Sequence, residues 1–144
     1  MAIVKNLQIN VNGATASLSK PVYLWLGDGQ TTLLIKVVEA EKTIFGTFKE
    51  TGSNIVTEQD TKWAEVCLLK PTGELVYSDR CEILDEMIKF VISKDFIDEI
   101  GEKGTHVIQI ALFDGDDEET ANKLTIPPVS LTVMSPIWME NHPS

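Results

Sequence analysis

The chain has 144 residues, 43% of them hydrophobic and 24% charged, which gives one domain with its own core and is too apolar for disorder. No apolar run reaches the ~18 residues of a membrane helix, and the start, MAIVKNLQINVNG, lacks the apolar stretch and small-residue cleavage site of a signal peptide. The formal net charge of −10 speaks against nucleic acid, whose phosphates need clustered Lys and Arg, and against an anionic membrane surface.

Ile3, Leu7, Ile9 and Val11 alternate with Asn6, Gln8, Asn10 and Asn12, the pattern of a half-buried strand. Asn12-Gly13 is a turn signal. Tyr23, Leu24, Trp25 and Leu26 stand between Pro21 and Gly27-Asp28-Gly29 and read as a loop or short edge strand. Thr31 to Val38 alternates again, and Thr43 to Lys49 is rich in β-branched and aromatic residues, a further strand. The polar stretch from Glu50 to Lys62, with a turn at Thr51-Gly52-Ser53-Asn54, reads as a long connection between two sheets.

Trp63 to Leu69 is apolar on both faces apart from Glu65, as in a central strand. Lys70-Pro71-Thr72-Gly73 turns the chain into a strand that points Leu75, Tyr77, Cys81 and Ile83 inward. Asp85-Glu86 marks the next turn, before Ile88, Phe90 and Ile92. A short helix is expected near residues 94–101, capped by Ser93 or Asp95, with Phe96, Ile97 and Ile100 as its apolar stripe and Gly101 and Gly104 as its stop. At two turns it is not stable alone, and we expect it to plug an open end. Thr105 to Phe113 and Leu124 to Met134 are the last strands, the second confined to an edge or bulge at Pro127-Pro128. The expected fold is all-β, a two-sheet antiparallel β-sandwich (Ig-like or similar) over residues 1–134, with a tail or the start of a linker over 135–144.

Chemistry is sparse. Cys67 and Cys81 fall too far apart on the expected hairpin for a bridge and read as small core hydrophobes. In DGDDEE, Asp114, Asp116 and Glu118 have the spacing of a calcium loop, but Glu119 and Thr125 stand where an EF-hand needs Gly and a carboxylate. The run reads as a solvated hairpin turn. His106 and His142 are the two histidines, and no P-loop, G-x-S-x-G, H-E-x-x-H or G-x-G-x-x-G occurs. No catalytic set, metal site or cofactor is assigned, and no enzyme is expected. Trp63 reads as core. Trp25 beside Gly-Asp-Gly, and Ile137, Trp138 and Met139 just past the last strand, are the candidate protein contacts, because exposed apolar groups at a domain exit mark contact surfaces.

The order of these pieces resembles the N-terminal domain of phage baseplate upper proteins of tailed phages and prophages of Gram-positive bacteria. The resemblance rests on the opening strand, Gly27-Asp28-Gly29, the strand from Thr31 to Val38, and the Pro71-Thr72-Gly73 hairpin within Val66 to Tyr77. It continues through Met87 to Ile92, Gly104-Thr105-His106-Val107-Ile108-Gln109-Ile110 and the closing strand Val129 to Val133. His106 stands where an aromatic is more usual in that family. The resemblance implies a virion structural protein of the tail baseplate, made in the host cytoplasm. It would dock on other tail proteins, a distal tail protein among them, and form a homo-oligomer. It implies no catalytic residues. Family members often run on into a coiled coil, so the chain is either an excised domain or a short stand-alone member. The alternative reading is a carbohydrate-binding module built on Trp25 and Tyr23.

Overall fold

The computed structural model describes residues 3–42, 44, 45 and 48–136. The strands are β1 (Ile3–Asn12), β2 (Thr15–Leu18), β3 (Tyr23–Trp25), β4 (Thr31–Lys42), β5 (Phe48–Asn54), β6 (Trp63–Leu69), β7 (Leu75–Leu84), β8 (Met87–Ile92), β9 (Gly104–Phe113) and β10 (Lys123–Met134). Two short helices interrupt them, α1 (Ile55–Glu58) and α2 (Lys94–Ile100). No helix among the described residues is long and apolar enough to cross a membrane.

The strands pair in the order β2-β1-β4-β8-β7-β6-β9-β10-β3, with β5 added to β4. The mostly-β expectation holds. The two antiparallel sheets do not: the strands form one sheet, curled into a half-barrel, and β2 comes back against β10. Two joins are parallel, β1 with β4 and β10 with β3. Strand twist accumulates across so many strands and curls the sheet, so its concave face packs against itself and supplies what a second sheet would. Leu7, Ile9, Leu33, Ile35, Val66, Leu68, Phe90, Ile108, Ile110 and Leu131 belong to that core.

Several turns follow from local chemistry. Gly13 closes the β1–β2 hairpin at φ 58°. Gly73 N donates to Lys70 O at 2.8 Å across Pro71-Thr72. Asp85 and Glu86 both have positive φ in the two-residue turn between the paired Leu84 and Met87. The prolines at 127 and 128 fall in a register shift of β10 between Ile126 and Val129.

Helix α2 fills a gap between strands. β7 and β8 pair only from Glu82 to Leu84 and diverge beyond. Tyr77 stacks on Phe96 at 3.9 Å and on Phe90 at 5.6 Å, and its hydroxyl donates to Val91 O at 3.2 Å. Ser93 is the N-cap, accepting from Phe96 N at 3.4 Å, and Gly101 ends the helix at φ 70°.

Three expectations need correction. The stretch from Thr43 to Lys49 is not one strand among its described residues: β4 runs on to Lys42, a turn holds Ile44 and Phe45, and β5 begins at Phe48. The polar connection is not loop either, since Phe48–Asn54 pairs with β4 and Ile55–Glu58 is helical. Asn54 caps that helix by accepting from Thr57 N at 3.3 Å. Leu75 is 55% exposed, because a shift in register between Leu68 and Leu69 turns it away from the core.

Candidate interaction surfaces

Register sorts the barrel into two ends. One holds Ile3, Thr31 and Ile92, with the turn after Leu69, the start of β9 and the end of β10. We call it the exit end. The other holds Val11, Glu39, Trp63, Phe113 and Lys123, the β4–β5 turn and the Asp85-Glu86 turn. We call it the tip end.

At the exit end β3 lies parallel to β10, with Trp25 opposite Met134 and Tyr23 opposite Thr132. Leu26 N donates to Met134 O at 2.9 Å, and Lys5 Nζ donates to Tyr23 O. The strand alternates, so Leu24 is buried while Tyr23 and Trp25 are 42% and 37% exposed on its other face. Ile137, Trp138 and Met139 lie outside the described residues. Trp25 is thus placed beside the strand that leads to them.

The tip end carries a surface that the sequence did not reveal. Ile44 is 94% exposed and Phe45 86%. Near them opens a groove of about 570 Å³, where β1, β4, α1 and β10 meet. Val11, Ala40, Ile55, Leu124, Ile126 and Pro127 supply its apolar lining, and Glu39 and Glu41 its charge. Asn12 Nδ2 donates to Ala40 O at 3.1 Å. Gly52 lets the bulged β5 lie against Glu39, since a Cβ there would come within 2.6 Å of the carboxylate. A sequence signal for this site is Ala40, buried between exposed Glu39 and Glu41, which continues β4 past Val38 and leaves Ile44 and Phe45 to the turn beyond it.

Trp63 is buried, as expected, but on the outer face of the sheet. It stacks on Phe113 with ring centroids 4.0 Å apart and planes 3° from parallel. The Arg80 guanidinium covers its other side at 4.0 Å, and its Nε1 donates to Gly115 O at 2.8 Å. Those contacts moor the acidic turn. Asp114 is tied to Asn122, whose backbone N and Nδ2 donate to its two carboxylate oxygens at 2.8 and 2.9 Å, and these bonds hold its pKa below the ordinary value. Among the described residues no three His, Cys, Asp or Glu side chains come together as metal donors.

His106 is fully buried on the concave face, with Nδ1 3.1 Å from Gly104 O and Nε2 without a partner. It does not line the groove. Cys67 and Cys81 are both free. Register places Cys67 opposite Ser78 and Cys81 opposite Ala64. Burial, with Asp79 adding, pushes the Cys81 thiol up to about 12, and burial with Glu65 also raises Cys67.

The fold has a counterpart. The chain is similar to the N-terminal domain of phage TP901-1 ORF48, with a TM-score of 0.54 and 11% identity over 94% of this chain and 98% of that one. No family model and no curated protein sequence matches. At that identity the likeness defines the fold, and it spans nearly the whole of both chains.

Proposed function

We propose that the chain is a virion structural protein of a phage tail baseplate. It would be a docking and assembly domain that anchors the host-recognition apparatus to the tail, working through protein surfaces without catalysis. The observation that carries this reading is the near end-to-end likeness in fold to a phage domain. The order of motifs from the opening strand to Val129–Val133 supports it independently. The surfaces suit the role: Tyr23 and Trp25 beside the exit strand, and Ile44 and Phe45 at the opposite end. The partners proposed are other tail proteins, the distal tail protein first among them, and further copies of the chain. Co-expression with the distal tail protein of the same phage, followed by size-exclusion with light scattering, tests it. Co-elution in a defined ratio is expected. A strictly monomeric protein with no affinity for any tail component would sink the reading.

One observation favours a second reading. Tyr23 and Trp25 are both exposed on one face of an edge strand, as an aromatic platform for sugar requires. Binding to a glycan array that is lost in Trp25→Ala, together with no binding to tail proteins, would move the assignment to a carbohydrate-binding module.

A further inference from the structure

Backbone demand sets the β1–β2 turn. Asn12 pairs with Thr15, so Gly13 and Ala14 are its two central residues, with Gly13 at φ 58°. That is the type II′ arrangement, which calls for glycine at the first central position. The glycine has a chemical consequence. The peptide nitrogen that follows an asparagine can attack the asparagine's own side-chain carbonyl carbon, and a side chain on the following residue obstructs that attack. Asn6, Asn10, Asn54, Asn122 and Asn141 precede Leu, Val, Ile, Lys and His, whereas Asn12 precedes glycine.

The surroundings of Asn12 both promote and restrain this chemistry. Thr15 Oγ1 donates to Asn12 O at 3.1 Å, which draws electron density from the Asn12–Gly13 peptide and makes its N–H more acidic. Gly13 is exposed, and a Cβ built on it would meet nothing within 4 Å, so water and base reach the peptide. Against these, Asn12 Nδ2 donates to Ala40 O at 3.1 Å and holds the amide against β4. The reaction therefore waits on local opening of the hairpin. Such openings need least free energy at the margins of a structure, and the four-residue β2 stands at one end of the strand order.

We propose that Asn12 is a site of spontaneous deamidation, and that the product unfastens the β1–β2 hairpin and adds charge to the groove. Gly13 N loses its proton to base and bonds to Asn12 Cγ. The Cγ–Nδ2 bond breaks, and the nitrogen leaves as ammonia after taking up a proton. Water then opens the cyclic imide at either carbonyl. One opening gives aspartate; the other gives isoaspartate, with the main chain routed through Cβ and Cγ. The sum is asparagine plus water to acid plus ammonia, with no change of oxidation state.

The aspartate replaces the Nδ2–H donor with a carboxylate facing Ala40 O, two acceptors with no proton between them. Isoaspartate moves the donor site and inserts a carbon into the main chain, which disturbs the register of Val11 and Asn12 with Ala16 and Thr15. Both add a negative charge to a groove lining that already holds Glu39 and Glu41. β2 packs against β10, so a loosened hairpin opens that seam. The inference does not depend on the assembly reading.

Storage of the native protein in warm, mildly alkaline buffer, followed by peptide mapping with mass spectrometry, tests it. The mass gain of an amide-to-acid exchange should appear at Asn12 at least about tenfold faster than at any other asparagine. It should appear faster still in urea, where the bond to Ala40 O is gone. Asn12→Gln, whose longer side chain does not close a five-membered ring, should keep its mass at that position. Comparable rates at several asparagines, or no gain at Asn12, overturn the assignment. The consequence is read on the aged protein's more acidic fraction, separated by ion exchange. Amide hydrogen exchange over residues 9–18 should rise at least about tenfold there, with the other strands unchanged. Exchange equal to that of fresh protein over residues 9–18 overturns the unfastening.

Discussion

Replacing Trp63 with leucine removes three contacts at once while leaving an apolar group in place. The indole stacks flat on Phe113 at 4.0 Å, lies under Arg80 at 4.0 Å and donates to Gly115 O at 2.8 Å. An aromatic pair contributes ~0.5–1.5 kcal/mol beyond its area. An exposed guanidinium over an indole contributes ~0.5–1 kcal/mol. A hydrogen bond to a loop carbonyl that water can reach lies near the low end of ~0.5–1.5 kcal/mol. With the lost ring area, the expected cost is about 3 kcal/mol, well inside the ~5–15 kcal/mol that holds a domain folded. Urea unfolding followed by far-UV circular dichroism measures it, and the midpoint should fall with m unchanged. Arg80→Ala provides the cross-check. It should cost ~0.5–1 kcal/mol in the parent and clearly less in the Trp63→Leu background. A Trp63→Leu cost under ~1 kcal/mol, or an identical Arg80→Ala cost in both backgrounds, would refute the stacked mooring.

Three further outcomes follow from local geometry. Ser93→Ala should lose ~0.5–1 kcal/mol by uncapping α2, and Gly101→Ala about 1 kcal/mol by forcing a side chain to φ 70°; melts that match the parent would contradict the capping geometry. Glu86→Gly should stabilise by up to ~1 kcal/mol, because Asp85 and Glu86 both sit at positive φ in a two-residue hairpin turn that favours Asn-Gly. A lower melting temperature would count against that backbone argument. Cys81, its thiol pushed up to about 12 by burial, should resist a thiol reagent at pH 8 until the protein unfolds. Its folded pKa exceeds the unfolded value, so its contribution to stability is whole below pH ~9 and is lost as pH rises towards 12. Rapid native labelling of Cys81 in a Cys67→Ser protein would show the strand to be open.

Much of the fold was legible because most of the longer strands bury one face. The alternation in Ile3 to Asn12 and Thr31 to Val38, the Pro71-Thr72-Gly73 turn and the Ser93 to Gly101 helix follow from side-chain period and cap chemistry alone. What alternation does not encode is which strand lies beside which. A strand in a curled single sheet and a strand in a sandwich bury the same residues, so the parallel join of β1 to β4 left no mark. β5 was missed for a different reason. Its sequence, FKETGSN, has neither alternation nor β-branched bulk, and its pairing with β4 is what identifies it as a strand. The exposed tip was missed with it, because Ile44 and Phe45 look like strand residues until β5 is seen to begin after them. Trp25 was legible as a candidate from its polar neighbours, and its place beside Met134 comes only from the parallel β3–β10 pairing.

The two candidate surfaces are separated by the length of the barrel. Along β10, Leu124 lines the groove and Met134 stands opposite Trp25, a span on the order of 30 Å at ~3.3 Å per residue. Among the described residues no side chain at one end touches the other, and a hydrogen-bonded sheet lies between them. Substitutions more than ~10 Å apart with no shared partner act additively. Trp25→Ser and Phe45→Ser should therefore each weaken only the contact made at its own end, read as loss of tail-protein binding or of self-association. The double variant should show both losses, each at its single-variant size within ~0.5 kcal/mol. A double variant in which either loss exceeds that size would mean that one contact helps form the other, and that the barrel transmits between its ends.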